Sequence, residues 1–382
     1  MCARKLDAKN LNPIRYFSAP GRVEIGGNHT DHQHGRVLAA AVGMDVKASV
    51  VQTNQNIVSL NNDLFGKDTL DLSDLSVYEF EKGSPAALVR GVAAWFCDHG
   101  YPTGGFDANI SSSIPVGAGL SSSAAFAVLI GNIFKGLYGA DISTLEIAQA
   151  GQYAENEYFG KPCGLMDQAA SSFGGLNVFD FKDPINPATT HIHADIPGYS
   201  ICVVATGGSH ADLTADYVSV PTEMRAVANY FKKDYLREVD ADEFFSSIVK
   251  LRHLGDRAVL RAIHFFTENE RVLKQANALE SGDIDAFLEL VLESGRSSLS
   301  YLQNVFSPSN PKEQGVTLAL AMSERILSGH GAWRVHGGGF AGTILAFIPS
   351  DLKDKYHRLM GEVFGEDNIH FLNIQEQGGR ED

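Results

Sequence analysis

Apolar and polar residues follow two different periods in the first half of the chain. β-Branched and apolar side chains recur at strand spacing over residues 22–25, 46–51 and 106–110. Apolar side chains recur at helical spacing over residues 85–98 and 124–138. The pattern therefore predicts strands and helices that alternate, with a glycine-rich segment between the third strand and the second helix.

The helix with the strongest end signals is predicted over residues 143–158. Ser143 and Glu146 form the capping-box pattern at its start, and Gly160 follows its end as a helix-terminating residue. A short turn then leads to a further predicted helix over residues 165–173.

Helical periodicity dominates the second half, and strand patterns bracket it. Helices are predicted over residues 222–236, 242–251, 256–279, 284–302 and 314–327. Strands are predicted over residues 199–205, 332–335, 343–349 and 369–374. A segment rich in Pro and Asp at residues 180–198 suggests a boundary between two domains, residues 1–190 and 191–382. The whole chain is expected to be an α+β protein.

Composition narrows the range of possible functions. Hydrophobic residues make up 44% and charged residues 20% of the 382 residues, as in ordinary globular proteins. The net charge of -15 argues against general binding to nucleic acid or to an anionic membrane. The four cysteines are widely spaced and form no C-x-x-C, which favours a reducing, cytoplasmic location. Residues 1–12 lack the apolar core of a signal peptide, and no segment reaches the roughly 18 apolar residues of a membrane helix.

Residues 114–125 form a glycine- and serine-rich segment that ends at a predicted helix start. The N–H groups of a first helical turn carry the positive end of the helix dipole and attract anions. Gly117 and Gly119 let the backbone approach a bulky ligand, and the serines at 121–123 can cap the helix, hold phosphate oxygens or reach a metal ion. The segment alone fits a polyphosphate cradle and an ordinary capped helix equally well.

Two acidic residues near the best-marked helix are candidates for phosphoryl-transfer chemistry. Such an enzyme needs one carboxylate for Mg²⁺ and often a second one to position the nucleophilic hydroxyl. Glu155 lies on the helix and Asp167 follows shortly after it, among apolar neighbours. An apolar setting is unusual for a solvated Asp, which favours a functional role over simple helix capping.

The glycine-rich residues 19–31 bring together Arg22, Asn28, His29 and Asp31. Short polar side chains on such a turn suit the recognition of sugar hydroxyls, each of which needs a donor and an acceptor. By composition alone, however, a polar surface turn explains the segment better. The three histidines between residues 29 and 34 match no metal-ligand spacing.

Other nucleotide-binding motifs are excluded. Residues 337–342 match the dinucleotide pattern G-x-G-x-x-G, but the rest of a doubly wound fold does not fit in the residues that follow. A Walker A motif and the protein-kinase HRD and DFG signatures are absent from the sequence. Any ATP chemistry must therefore use another architecture.

Taken together, five segments in order resemble the GHMP kinases and, within them, the galactokinase family. Residues 21–32, G-R-V-E-I-G-G-N-H-T-D-H, look like the signature G-R-V-N-L-I-G-E-H-T-D-Y. Residues 115–125 are similar to the ATP motif P-x-G-x-G-L-S-S-S-A-A, and residues 336–342 to the motif G-G-G-F-G-G. Residues 164–168 resemble the G-I-M-D-Q around the catalytic aspartate, and residues 215–217 resemble S-E-Y.

The resemblance implies a bilobal fold with the active site in the cleft between the lobes. The N-terminal domain would hold a mixed sheet, and the C-terminal domain a ferredoxin-like α/β sandwich. It also implies transfer of the γ-phosphate of ATP, with Mg²⁺, to the anomeric hydroxyl of a hexose, with galactose favoured. The partners would be the sugar and ATP, and the protein is expected to be a monomer or a weak oligomer.

The resemblance also implies residue roles. The triphosphate would be wrapped by Pro115, Gly117, Ala118, Gly119, Leu120, Ser121, Ser122 and Ser123. Ser123 and Glu155 would hold Mg²⁺. The sugar would contact Arg22, Asn28, His29, Asp31, Gly164, Asp167 and Tyr217, with Asp167 and Arg22 as the catalytic pair at O1. An Arg neighbour lowers the pKa of an Asp by ~1–3 units, so Asp167 would act either as a late base or as an orienting charge.

The chain departs from the signature in ways that bear on the substrate. Asn28 stands at the position of a Glu that contacts the sugar's 6-hydroxyl in the family, Glu24 at the position of an Asn, and His32 at the position of a Tyr. Loss of that negative charge leaves galactose favoured but raises a hexuronic acid such as galacturonate as an alternative. A sugar-sensing regulator without catalysis is a third, less favoured hypothesis, because Arg22 and Asp167 are both retained.

Overall fold

The computed structural model describes residues 12–62, 66–115, 117–207 and 213–382. The expectation that the chain starts without a signal peptide rests on residues that lie almost entirely outside these ranges. No helix in the described ranges combines the length and the apolarity needed to cross a membrane.

The described strands form two sheets. The larger sheet contains β1 (Arg15–Gly26), β2 (Arg36–Gln52), β3 (Ile57–Asn62), β4 (Gly66–Asp71), β5 (Phe106–Ser112), β6 (Leu176–Asp180), β7 (Ala188–His191) and β12 (Arg380–Glu381). Its order is β12-β1-β2-β5-β3-β4, and β6 and β7 extend it beside β2. Only the β3–β5 pair among these is parallel, so the sheet is mixed, as predicted.

The smaller sheet is antiparallel. It contains β8 (Tyr199–Ala205), β9 (Ala332–His336), β10 (Thr343–Pro349) and β11 (Ile369–Leu372), in the order β11-β8-β10-β9. These four strands confirm the pattern seen in the sequence. The chain then returns to the larger sheet, where Phe17 of β1 pairs with Glu381 of β12. The division at residue 190 stays a proposal.

Helices surround both sheets in the described part of the chain. The first half contributes α1 (Pro85–Asp98), α2 (Ser122–Tyr138), α3 (Thr144–Tyr153) and α4 (Met166–Phe173). The second half contributes α5 (Thr214–Tyr230), α6 (Ala241–Ser246), α7 (Ile248–Leu251), α8 (Asp256–Glu280), α9 (Ile284–Ser297), α10 (Gly315–Leu327) and α11 (Lys353–Phe364). The result is the α+β, two-lobed arrangement expected from the sequence, with α2 buried along most of its length.

The predicted helix over residues 143–158 changes its winding near its end. The capping box of Ser143 and Glu146 forms as predicted, and Gly160 has the left-handed φ of 82°. Between α3 and Gly160, however, the segment Ala154–Phe159 is π-helical. Short π-helical segments often occur at functional sites, and this one contains Glu155, which is fully buried.

Other predicted boundaries were wrong for identifiable reasons. α5 begins at Thr214 rather than at residue 222, because Pro221 lies inside the helix instead of before it. The predicted helix over residues 242–251 is divided at Ser247. The one over 284–302 ends as the π-helical segment Ser298–Leu302. The sequence patterns also did not single out β3, β4, β6, β7, α11 or β12.

Candidate active site

The glycine- and serine-rich turn before α2 is held in a left-handed conformation. The φ angles are 77° at Gly117, 69° at Gly119 and 57° at Ser121. A side chain at Gly119 would also collide with Thr343, whose Oγ1 lies 2.4 Å from the Cβ position. The turn therefore needs glycine both for its backbone angle and for the close approach of β10.

The side chain of Ser121, although at the capping position, does not cap α2. Its hydroxyl donates instead to Oδ2 of Asp167, at 2.6 Å. The helix start thus keeps N–H groups that are free of this cap and suited to an anion. The sequence predicted that serines here either cap the helix or bind a ligand, and the structure shows a third use.

Arg22 on β1 holds the other oxygen of Asp167, which lies in the first turn of α4. Arg22 Nε donates to Asp167 Oδ1 at 2.7 Å, and Arg22 Nη1 donates to the carbonyl oxygen of Gly119 at 2.6 Å. The backbone N–H of Arg22 also donates to the Leu120 carbonyl. One arginine thus links the carboxylate on α4 to the turn before α2.

The charge state of Asp167 follows from its neighbours. Burial alone would raise its pKa, but the positive charges of Arg22 and Lys161 outweigh burial and lower the pKa to about 2. Hydrogen bonds from Arg22 and Ser121 lower the pKa further. Asp167 is therefore ionised at any physiological pH, as the neighbouring Arg22 predicted.

Glu155 is buried with one oxygen held and the other unpartnered. Its Oε2 accepts from Gln168 Nε2 at 2.7 Å and from Cys163 Sγ at 3.1 Å. Its Oε1 has no hydrogen-bond partner, and Lys161 Nζ lies 4.0 Å away. The Oε1 of Gln168 is buried without a partner as well. Unpartnered buried oxygens are what a hard cation such as Mg²⁺ would bind, so the donors fit that ion.

Asp31 and Gly164 lie against each other on the sugar side of the predicted site. A Cβ at Gly164 would lie 1.8 Å from Asp31 Oδ2, so any larger residue here would displace the Asp31 carboxylate. Burial raises the pKa of Asp31 to about 7, although the backbone N–H of His32 donates to its carboxylate and lowers it. Asp31 therefore changes its charge near neutral pH.

The hydrogen bonds of His29 and His32 fix which ring nitrogen of His29 carries a proton. The carbonyl of Gly338 can only accept, so His29 Nε2, 2.9 Å away, must carry a proton. His29 Nδ1 is then the acceptor for His32 Nε2 at 3.1 Å. Burial lowers the pKa of His29 to about 4, so the ring is neutral. The third nearby histidine, His34, stacks on Tyr235 instead, so the three rings do not converge on one metal site.

Tyr217 packs on the glycine-rich turn between β9 and β10. Its hydroxyl donates to the carbonyl of Gly339 at 2.8 Å, and its ring meets Phe340 edge-on. A side chain at Gly338 would collide with the Tyr217 ring. The structure therefore brings the predicted sugar residue Tyr217 to the same turn that His29 contacts.

Asn28 lies beneath this turn and is completely buried. Its Nδ2 donates to Gly337 O at 2.6 Å and to Glu24 Oε1 at 3.0 Å. Its Oδ1 accepts from Asn304 Nδ2 at 2.8 Å and from Ser298 Oγ at 3.4 Å. All four hydrogen-bonding capacities of the amide are used, so this conformation leaves none for a sugar hydroxyl.

Known proteins share both the sequence signatures and the fold. Residues 87–175 match the family described as GHMP kinases N terminal domain, and residues 7–51 match the galactokinase galactose-binding signature. A galactokinase of Mannheimia succiniciproducens is 30% identical over 370 residues, which cover 94% of this chain and 92% of that relative. The chain belongs to the galactokinase family of GHMP kinases.

Other relatives agree with this assignment. A galactokinase of Haemophilus influenzae is also 30% identical, over 93% of this chain and 90% of its own length. The crystal structure of Lactococcus lactis galactokinase complexed with galactose superposes with a TM-score of 0.83, at 24% identity, over 98% of this chain and 96% of that chain. A mevalonate kinase structure shares the fold at a TM-score of 0.63.

Three residues of this galactokinase-family site were not singled out as functional from the sequence. Lys161 and Gln168 flank Glu155, and their positions next to the predicted carboxylates were the available signal. The third, His336, accepts from the Glu24 N–H and its Nδ1 lies 3.1 Å from Thr343 Oγ1, which faces Gly119. Nothing local in the sequence connects residues so far apart.

Proposed function

We propose that this chain transfers the γ-phosphate of ATP to the anomeric hydroxyl of galactose, forming galactose 1-phosphate. The observation that carries this proposal is the placement of Asp167 between Arg22 and Ser121, beside the uncapped start of α2. One side of that carboxylate group adjoins the predicted phosphate turn. The relatives compared above carry the name galactokinase.

The phosphates of ATP would lie on the turn before α2. The residues proposed to hold them are Pro115, Gly117, Ala118, Gly119, Leu120, Ser121, Ser122 and Ser123. Backbone N–H groups at a helix start supply most of the binding, because the chain as a whole carries a net charge of -15. Lys161 would add a local positive charge near Asp167.

Ser123 and Glu155 would hold the Mg²⁺ that accompanies ATP. When bound, this ion neutralises charge on the phosphates. Gln168 and Cys163 both donate to the same oxygen of Glu155, which leaves the other oxygen free for the ion. Within the described residues, no cluster of three or more His, Cys, Asp or Glu side chains could hold a metal by itself. Phosphate oxygens and the serine would therefore complete the coordination.

Asp167 would orient the sugar O1 and accept its hydrogen bond while O1 attacks the γ-phosphorus. The O1–P bond would form as the bond to the ADP oxygen breaks, and the O1 proton would pass to the Asp167 carboxylate late in the reaction and from there to solvent. A carboxylate with a pKa of about 2 is a weak base, so orientation and charge complementarity carry more of the catalysis than proton abstraction. Arg22 fixes the carboxylate and faces the developing negative charge.

The other sugar hydroxyls would contact His29, Asp31, Gly164 and Tyr217. Asn28 was expected to join them, but its saturated hydrogen bonds give no support for direct contact. The argument for a hexuronic acid rested on Asn28 facing the substrate, so galactose remains the better supported substrate. We also propose a cytoplasmic location and a monomer or weak oligomer.

The test is ADP release by the purified chain with galactose and, separately, with galacturonate. We expect release with galactose and a single new phosphomonoester signal in the ³¹P NMR spectrum, coupled to the anomeric proton. Faster turnover of galacturonate than of galactose would make galacturonate the proposed substrate instead. No release with either sugar would reject both substrates, and sugar-dependent partner binding without release would favour the sensor hypothesis.

A further inference from the structure

Glu24 and Asn28 stand at two positions where the family signature has Asn and Glu, in that order. The two side chains touch in this structure, with Asn28 Nδ2 donating to Glu24 Oε1 at 3.0 Å. This chain therefore has one amide and one carboxylate at these two positions, as the signature does, but with their places exchanged. Two departures that look independent in the sequence form a single interaction in space.

The carboxylate of Glu24 also has a cationic partner. Arg334 on β9 is completely buried, and its Nη2 donates to the same Glu24 oxygen at 2.6 Å. Its Nη1 donates to the carbonyl of Ile25 at 2.7 Å. A buried arginine without an anionic partner lowers stability, so Arg334 requires a carboxylate at position 24.

Asn28 connects this ion pair to the glycine-rich turn. Its Nδ2 reaches the Gly337 carbonyl, its Oδ1 accepts from Asn304, and its backbone carbonyl accepts from His264 at 2.9 Å. The next residue, His29, binds the carbonyl of Gly338. Two consecutive residues of the first motif are thus fixed to two consecutive carbonyls of the third motif.

We propose that Glu24, Asn28 and Arg334 form one positioning unit that holds His29 and the sugar-recognition turn against the turn at Gly337 and Gly338. In this unit Asn28 acts through His29 and does not contact the sugar. The proposal rests on the proposed function, since it assigns the role of the residue next to the sugar site. It gives one physical role to the departures at positions 24 and 28, because the amide of one donates to the carboxylate of the other.

An isosteric exchange tests the unit without changing its shape. Asn28→Asp places a second carboxylate against Glu24 and removes two donors, and Glu24→Gln leaves the Arg334 charge without a carboxylate. For each single variant we expect the KM for galactose to rise about tenfold or more, with the KM for ATP changing less than about threefold. In the double variant, the amide placed at position 24 can donate to the carboxylate placed at position 28. Arg334 still lacks a carboxylate at position 24 and the Gly337 carbonyl still lacks a donor, so the galactose KM should stay raised, but by clearly less than the product of the two single increases.

Matched controls and a second measurement keep the outcomes separate. Glu362→Gln and Asn310→Asp make the same chemical changes on the exposed surface and should alter neither KM. The melting temperature should fall by at least about 5 °C in the singles, and the fall in the double should be clearly smaller than the sum of the two single falls. If a single variant is insoluble, the milder substitutions Asn28→Ser and Glu24→Asp are measured in the same cycle, and falls in melting temperature that simply add there reject the unit.

Three results would overturn the proposal. The effects of the two substitutions on melting temperature would simply add, the galactose and ATP KM values would rise together, or the singles would behave like the controls. Failure of the unsubstituted chain to phosphorylate galactose is a different result. It would reject the proposed function, and the melting-temperature cycle would still decide whether residues 24 and 28 are coupled.

Discussion

Two buried polar clusters, one around Glu155 and one around Asn28, differ in how completely their central side chains are hydrogen-bonded. At Glu155 and Gln168, two oxygens are buried without a partner. At Asn28, every polar atom of the amide has a protein partner, although Arg334 Nε and Asn304 Oδ1 in the same cluster are buried without one. The first cluster has capacity to bind a ligand, and the second holds two parts of the fold together.

This difference separates residues that motif matching treats alike. Asn28 and Asp167 were both predicted to touch the sugar. Asp167 has two donors, Arg22 and Ser121, and a carboxylate has about four acceptor positions, so it retains capacity for a hydroxyl. Asn28 retains none, which makes it a positioning residue in our interpretation.

Asp167→Asn tests the ligand-binding cluster most severely. The substitution keeps the shape but removes the charge that faces Arg22 and the sugar O1. We expect kcat to fall at least ~10²-fold, the scale of a lost acid–base or orienting group, while ATP binding measured by calorimetry is retained. Asp354→Asn, an exposed change of the same kind, is the control. Turnover close to that of the original chain would remove Asp167 from the catalytic role.

Gln168→Met tests whether the hydrogen bond from Gln168 orients Glu155 so that its other oxygen is available for Mg²⁺. Without the Nε2 donor, Glu155 can rotate, and the oxygen that would face Mg²⁺ loses its orientation. We expect the Mg²⁺ concentration for half-maximal activity to rise about tenfold, a common cost of losing an outer-shell partner. Thermal stabilisation by ATP should need correspondingly more Mg²⁺, which gives a readout without turnover.

The control for this prediction is Gln149→Met. Gln149 makes a single amide hydrogen bond to Ile185 O near the surface. An unchanged Mg²⁺ requirement in Gln168→Met, equal to that of the control, would mean that Glu155 is held in place by other contacts.

How much of this could be derived from the sequence depends on the range of the interaction. The capping box of Ser143 and Glu146 lies within one helical turn, and its prediction was confirmed. The motif around Asp167 was equally visible because the residue stands among apolar neighbours. The partners of Asn28 could not be predicted, since Gly337 and Asn304 lie about three hundred residues away and no local pattern brings them together.

Backbone irregularities set a second limit. The π-helical segment Ala154–Phe159 buries Glu155, but helical periodicity at this length does not distinguish a π-helix from an α-helix. The helix predicted to start at residue 222 begins earlier, and α5 continues through Pro221, a residue type that usually ends or interrupts a helix. In both cases the local sequence pattern did not determine the backbone geometry.

The pH dependence of the melting temperature tests whether the buried carboxyl of Asp31 lacks the stabilising partners that Asp167 has. Its folded-state pKa of about 7 lies above the ordinary value, so its contribution to stability is complete at low pH and is lost as the pH rises through 7. Asp31→Asn cannot ionise and avoids this loss. We expect the melting temperature of the variant, relative to the original chain, to increase by a few degrees between pH 5 and pH 8, an effect of order 1 kcal/mol or more.

An exposed aspartate serves as the control for this measurement. Asp285→Asn removes an exposed carboxyl of α9 and should show no such trend with pH. A relative melting temperature of Asp31→Asn that stays constant from pH 5 to pH 8 would show that Asp31 is ionised throughout. In that case the carboxylate would have polar partners comparable to those of Asp167.

Gln275 on α8 has buried, unpartnered polar atoms outside the predicted phosphate turn, and its substitution is expected to have the smallest effect of the changes considered. Both its amide atoms are buried without a partner, but its Oε1 packs directly over Gly26, where a Cβ would lie only 1.9 Å away. Gly26 ends β1 and lies outside the predicted phosphate turn, so here missing partners indicate a cost to stability and not a ligand. Gln275→Met has a similar size and removes the unmet donors and acceptor. We expect unfolding to become less favourable by about 1–3 kcal/mol, with kcat and both KM values unchanged. A lower melting temperature would show that the amide has a water partner, and a changed galactose KM would extend the ligand-binding cluster to α8.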